Sequence, residues 1–405
     1  MVTIWYDDRT TTTMKIGILT QPLLDNYGGL LQNYALQEVL KRMGHNAVTL
    51  DWDTKFKSVY KGALWKRMII FFFYPLVLVR RKYYSKREKY ELTIEEKKII
   101  NKHNEQFINN KISHTQKFID TDEIIEYVKR EEISTFVVGS DQVWRPKYNA
   151  GAIYQMFLYF AKDMSAKRLA YAASFGTDEW EYTQGETQQI IPLIQKFDCI
   201  SVREEGAISL CKRHFGLDAI QVLDPTMLLD KEDYLELINE SDILSVEKSE
   251  RILFHYLLDP TEKKLSFVDK AANELGLRMI TVLPKHTPEL RTKDDVKNDI
   301  EGCILPGPIA WLNGFKNASM VICDSFHGCV FSIIFNKPFW VIGNPDRGMS
   351  RFNSLLSIFG LQNRIIDINE LGNFNVNAPI DWERVNTIRE EWINKSVSFL
   401  AAAGL

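Results

Sequence analysis

The sequence predicts an α/β protein built as two doubly wound domains that face each other across a cleft. Three observations lead there. Apolar runs of strand length alternate with helix-patterned runs along nearly the whole chain, as in parallel sheets with crossover helices. The alternation falls into two successive groups, separated by a polar stretch from Lys231 to Glu250. At 405 residues the chain is also long for one core. We therefore expect an N-terminal domain over residues 1–228 and a C-terminal domain over 229–405. Ligands of open α/β sheets collect beyond the carboxyl ends of the strands, so the cleft is the expected site.

In the first group, Lys15–Thr20 reads as a strand and Leu30–Met43 carries helical spacing. Ala47–Trp52 is the next strand, followed by a basic and aromatic insertion near 55–117 with helical patterning over Ile94–Ile108. Thr135–Ser140, Leu169–Ser174, Cys199–Arg203 and Ile220–Leu223 continue the strands, with helices near 186–196 and 204–215. In the second group strands are expected at Ile252–Leu257, Met279–Leu283, Gly302–Leu305, Met320–Cys323, Phe339–Ile342 and Arg364–Ile368. Helices fill the gaps near 261–275, 308–317, 328–336 and 351–359. The amphipathic run from Glu383 to about Ala402 predicts a last helix that packs back across the first domain.

Composition narrows the function. A chain with 45% hydrophobic and 25% charged residues is an ordinary globular protein. Its net charge of −3, without a dense basic tract, argues against a nucleic-acid partner. The five cysteines are scattered, with no Cys-x-x-Cys pair, so neither a disulfide framework nor a metal site is expected. No G-x-G-x-x-G or Walker motif occurs, and no bound cofactor is expected. Met1–Thr13 has no apolar signal core, which fits a cytoplasmic protein. One segment, residues 64–89, stands apart: an apolar run, Met68–Val79, lies between clusters of Lys and Arg. It is too short to span a bilayer and is interrupted by Pro75. It suits either a core helix with snorkelling basic ends or peripheral contact with the inner face of an anionic membrane.

The residues able to carry chemistry cluster where strands give way to helices. His327, in Asp324-Ser325-Phe326-His327-Gly328, follows an apolar strand and precedes a helical run beginning at Gly328. Backbone N–H groups and the helix dipole favour anions at such a turn, although a histidine there can equally cap the helix. Asn26, Gly28 and Gly29 occupy the first strand–helix turn, where glycines allow close backbone approach. Ser140 and Asp141 end another strand; Asp141 suits a general base, a hydroxyl ligand or a helix cap. Arg203 ends a further strand, and Arg351 opens a helix whose dipole disfavours a cation there. Two arginines, helix N-termini and one histidine imply a small, strongly anionic substrate and proton transfer near neutral pH.

Asn26-Tyr27-Gly28-Gly29 with Leu31-Gln32 and Tyr34-Ala35-Leu36, the GSDQVW run at 139–144, Ser201-Val202-Arg203-Glu204 and Asp324-Ser325-Phe326-His327-Gly328 resemble the polysaccharide pyruvyl transferase family. The matching stretches run in order from about residue 15 to 361. The resemblance implies a GT-B-like pair of Rossmann-like domains. It also implies transfer of a pyruvyl group from phosphoenolpyruvate to a sugar, giving a cyclic ketal and phosphate. In that family's pattern His327 is the histidine and Arg203 the phosphoenolpyruvate-binding arginine, with no further arginine in the Ser325-Phe326 turn here. Ser325, Gly328 and Arg351 would join them around the donor, and Asp141 is our candidate to deprotonate a sugar hydroxyl. The acceptor would be a cell-surface polysaccharide sugar or its lipid-linked oligosaccharide precursor.

Two other readings share these residues. A nucleotide-sugar glycosyltransferase would use the same architecture and need diphosphate contacts from Arg351 and the loop before it. A non-catalytic assembly subunit docking through 64–89 would have no use for the anionic-site residues.

Overall fold

The computed structural model describes residues 13–57, 90–149, 152–239, 251–288, 290–343, 348–367 and 375–405, so the 64–89 segment lies outside the described residues. Along the chain the strands are β1 (Lys15–Leu19), β2 (Asn46–Thr49), β3 (Trp52–Lys57), β4 (Phe118–Asp120), β5 (Thr135–Val138), β6 (Lys167–Ala173) and β7 (Cys199–Val202). They continue with β8 (Ile220–Gln221), β9 (Ile252–Tyr256), β10 (Arg278–Ile280), β11 (Ala318–Cys323), β12 (Phe339–Ile342) and β13 (Ile365–Ile366). Six form one parallel sheet in the order β2-β1-β5-β6-β7-β8, and five form a second in the order β10-β9-β11-β12-β13. The protein is therefore α/β, with two Rossmann-like halves. Their central strands are apolar along their length because both faces are covered; β5 and β12 are buried at every residue.

Each sheet has one place where the strand order reverses, and these places position the site. In the first sheet the chain leaves β1 toward β2 and later returns on the other side to β5. In the second it leaves β9 toward β10 and returns to β11. Loops on either side of such a switch point diverge and leave a crevice. The loops after β1 and β5 carry Asn26 and Asp141, and those after β9 and β11 carry Leu258 and Ser325.

Several expected boundaries move. The first helix spans Tyr27–Arg42, so Gly28 and Gly29 lie in its first turn and not in a loop. The helix after β11 begins at Phe326, which puts His327 inside its first turn. Gly302–Leu305 is not a strand: Glu301–Cys303 is a 3-10 turn whose apolar residues cover Ile100 and Val296. Part of the supposed insertion is ordered sheet, since β3 pairs in parallel with β4. The last helix, Trp382–Ala402, runs to the first half. Its Ser396 Oγ accepts from Leu223 N–H at 3.0 Å, and Phe399 packs on Tyr171 with ring centroids 6.3 Å apart.

Candidate active site

A cavity of about 540 Å³ opens between the two switch points. Asn26, Gly28 and Asp141 line it from the first half; Ser325, His327 and Arg351 line it from the second. The same cavity is lined by Trp52, Phe56 and Tyr148 from the first half and Tyr256 from the second, so it mixes ionic and aromatic groups.

Behind His327 sits a carboxylate that sequence reasoning passed over. Asp224, fully buried after β8, accepts from Arg203 Nη1 at 2.9 Å, from Ser140 Oγ at 2.9 Å, and from the Thr226 hydroxyl and N–H at 2.7 and 3.1 Å. His327 Nε2 lies 3.5 Å from the same carboxylate, an ion-pair distance but long for a hydrogen bond. Asp224 thus joins the arginine of one half to the histidine of the other. The available signal was positional: like Asp141 and Asp324, it is an acid just past the carboxyl end of a strand-like run. Burial works against its charge, but His327, Arg203 and the Thr226 hydroxyl hold it well below the usual carboxylate range.

Arg203 is placed differently from the sequence expectation. Its side chain is buried, paired to Asp224 and, at 3.4 Å, to Asp141, and it does not line the cavity. Its guanidinium lies over the Phe326 ring, 4.1 Å from the centroid, and Phe326 forms the wall in front of it. Of the two arginines, Arg351 is the one that lines the cavity. Burial and the neighbouring Arg203 push the Arg351 pKa down to about 10, still charged at neutral pH.

Asp141 adopts a left-handed backbone (φ 70°), which turns its carboxylate back toward Arg203 and Asn26 Nδ2, the latter at 3.0 Å. Burial opposes its charge, yet Arg203, His327 and Arg351 outweigh that and keep its pKa low. Held in this way, the carboxylate is a weaker proton acceptor than a free aspartate. It does not cap a helix; it fixes Asn26 and Arg203.

The small residues have packing reasons. A Cβ on Gly28 would stand 2.1 Å from His327 Nδ1, so this glycine lets the imidazole of one half seat against the helix of the other. A Cβ on Gly29 would meet Asn26 Nδ2 at 2.8 Å. Ser325 caps the His327 helix, its Oγ accepting from Gly328 N–H at 3.0 Å, and a Cβ on Gly328 would crowd that oxygen at 2.6 Å. Gly29, Ser140 and Gly328 therefore pack around the site without lining the cavity. With Nε2 turned to Asp224, the histidine nitrogen left for a ligand is Nδ1, beside Gly28.

Asp324, fully buried, anchors the loop after β9. It accepts from Leu258 N–H at 2.7 Å, Asp259 N–H at 3.2 Å and Lys264 Nζ at 2.8 Å. Tyr27 completes the joint between halves, its phenol oxygen accepting from Gly307 N–H at 3.2 Å. No group of His, Cys, Asp and Glu able to hold a metal ion occurs among the described residues. No described helix is long and apolar enough to cross a membrane.

A family model, polysaccharide pyruvyl transferase, matches residues 26–347, a span that holds every candidate residue except Arg351. Similar solved structures include UDP-N-acetylglucosamine 2-epimerase from Rickettsia bellii (11% identity, covering 96% of this chain and 98% of that chain, TM-score 0.46). Another is the UDP-GlcNAc 2-epimerase of Methanocaldococcus jannaschii in complex with UDP-GlcNAc and UDP (12% identity, 94% and 93% covered, TM-score 0.46). A glycosyltransferase from Rickettsia africae is similar too (11% identity, 96% and 94% covered, TM-score 0.44). No curated protein sequence matches the chain.

Proposed function

The chain belongs to the polysaccharide pyruvyl transferase family, and from that premise we propose that it transfers a pyruvyl group from phosphoenolpyruvate to a sugar, forming a pyruvate ketal and releasing phosphate. The observation that carries this reading is one cavity wall presenting Arg351 and His327 together, with Asp224 behind the histidine. Phosphoenolpyruvate carries a carboxylate and a phosphate on one small carbon skeleton. Arg351 and the N-terminus of the His327 helix suit those charges, and Arg203 adds positive field from behind Phe326.

In this mechanism protonated His327 delivers a proton to the methylene carbon of the donor, and positive charge develops at the carbon bearing the phosphate. Asp224, 3.5 Å from Nε2, orients the imidazole. One sugar hydroxyl adds to that carbon and its proton passes to neutral His327. The carbon–oxygen bond to phosphate then breaks, phosphate leaves with its bonding pair, and a second hydroxyl closes the ketal as its proton is taken up by the departing phosphate. The aromatic lining of the cavity, Trp52, Phe56 and Tyr148 among it, suits the apolar faces of the acceptor sugar. The basic, apolar segment at 64–89 supports an acceptor presented on a lipid carrier at the inner membrane face. Flotation with anionic vesicles should be lost when its lysines and arginines are neutralised.

The reaction is tested with phosphoenolpyruvate isotopically labelled at the methylene carbon and a panel of diol-bearing saccharides. A new ketal methyl resonance, appearing with phosphate and absent for His327→Ala, is expected. Sugar transfer from a nucleotide donor, with the labelled methylene unchanged, would instead favour a glycosyltransferase.

A further inference from the structure

Three neutral amides, Gln21, Gln142 and Asn149, line the cavity from the first half. The Gln142 backbone ties them together: its carbonyl accepts from Gln21 Nε2 at 3.1 Å and from Asn149 Nδ2 at 3.0 Å. Asn149 Nδ2 also bonds the carbonyls of Val143 and Arg145, each at 3.1 Å. Arg145, paired to Glu181, donates through Nη1 to Gln142 Oε1 at 3.0 Å. Gly176, at φ 73°, makes room for that oxygen, since a Cβ there would stand 2.2 Å from it.

These bonds fix which end of each amide is already used. Gln21 Oε1, Gln142 Nε2 and Asn149 Oδ1 remain, two acceptors and one donor without a hydrogen-bond partner among the described residues. Asn149 is buried, and a buried amide oxygen without a donor is unfavourable. Its anchor of three carbonyls stops the amide from turning over to recover a bond. A hydroxyl both donates and accepts, so a ligand rich in hydroxyls matches all three groups. A carboxylate matches Gln142 Nε2 alone. It would also be repelled by Asp25, which lies exposed on the loop that carries Gln21 and lines the same cavity.

We propose that Gln21, Gln142 and Asn149 form the hydroxyl-recognition subsite for the acceptor, and that this subsite selects an uncharged sugar over an acidic one. Naming that sugar the acceptor rests on the pyruvyl-transfer reading; the existence of a sugar subsite does not. Removing one neutral hydrogen bond should weaken saccharide binding about five- to tenfold.

Methyl glycosides of neutral hexoses and of the matching uronic acids are titrated into the full-length protein with inorganic phosphate present, and binding is followed by saturation-transfer NMR. Gln142→Glu keeps the bond from Arg145 while replacing the free donor by an acceptor; Gln142→Met removes the donor without adding charge. Thermal unfolding is recorded alongside, and Gln142→Glu decides the matter if Gln142→Met loses its thermal midpoint. Neutral glycosides should bind the wild type more tightly than uronates do, and both Gln142 variants should bind them about five- to tenfold more weakly. Asp25→Asn should narrow the preference for neutral sugars about fivefold, the reach of one exposed charge. Uronates binding as tightly as neutral glycosides would overturn the proposal. So would neutral-glycoside affinity unchanged in both Gln142 variants, or a wild type that binds none of the glycosides. Glycoside binding that weakens as expected in a protein that forms no ketal from phosphoenolpyruvate would overturn the pyruvyl-transfer reading and leave the subsite standing.

Discussion

Asp224 shows what a single residue contributes here. It takes Arg203, Ser140 and Thr226 as hydrogen-bond donors and faces His327, all without solvent. Asp224→Ala should cost about 3–5 kcal/mol in denaturant unfolding, because Arg203 is left buried with its closest counter-charge gone. The pH dependence has a fixed sign. Asp141 and Asp224 both have folded pKa values below the unfolded value. Their contribution is complete above the unfolded aspartate pKa of about 3.9 and is lost as pH falls below it toward the folded values. Acid unfolding should therefore steepen below about pH 4 and be shallower in Asp224→Asn. Gly28→Ala should abolish turnover, since its Cβ would stand 2.1 Å from His327 Nδ1. Sequence could point to His327, Asp141 and Arg351, because each is a charged or titratable residue at a strand–helix junction. It could not place Arg203 behind Phe326, since that depends on two loops from different sheets meeting.

At the scale of elements, local chemistry decides more than pattern alone suggests. The His327 helix starts two residues earlier than its apolar run implies because Ser325 caps it; Ser325→Ala should lower stability by about 1 kcal/mol in thermal or denaturant unfolding and displace His327. Apolar runs located the buried parallel strands well, as at β5, β11 and β12, where burial on both faces demands them. The same rule misread Gly302–Leu305, whose apolar residues are buried against Ile100 and Val296 without any strand partner. β3 and β4 escaped notice for the opposite reason: Trp52–Lys57 mixes charge with aromatics, and its pairing to Phe118–Asp120 bridges a long stretch of chain.

At the scale of the whole molecule, the two sheets act as one device only where their switch points meet. Direct ties join the halves at and beyond that junction: Tyr27 accepts from Gly307, and Ser354 Oγ accepts from both Glu205 N–H and Gln221 Nε2, at 3.0 and 2.7 Å. Gly348, at φ 90°, approaches Gly176 so closely that an added Cβ would stand 2.1 Å from its carbonyl oxygen. Gly348→Ala should prop the halves apart and weaken phosphate binding about tenfold or more, read by calorimetry. Two-half α/β architecture was legible from the double run of alternating elements. That both switch points open into one cavity was not, because it rests on how the halves are docked. The central claim, a phosphoenolpyruvate site at that junction, is tested most directly by titrating phosphoenolpyruvate, UDP and GDP into the wild type and Arg351→Met with a diol-bearing saccharide present. We predict heat from phosphoenolpyruvate alone, lost in Arg351→Met; binding of UDP or GDP in preference to phosphoenolpyruvate would contradict the account.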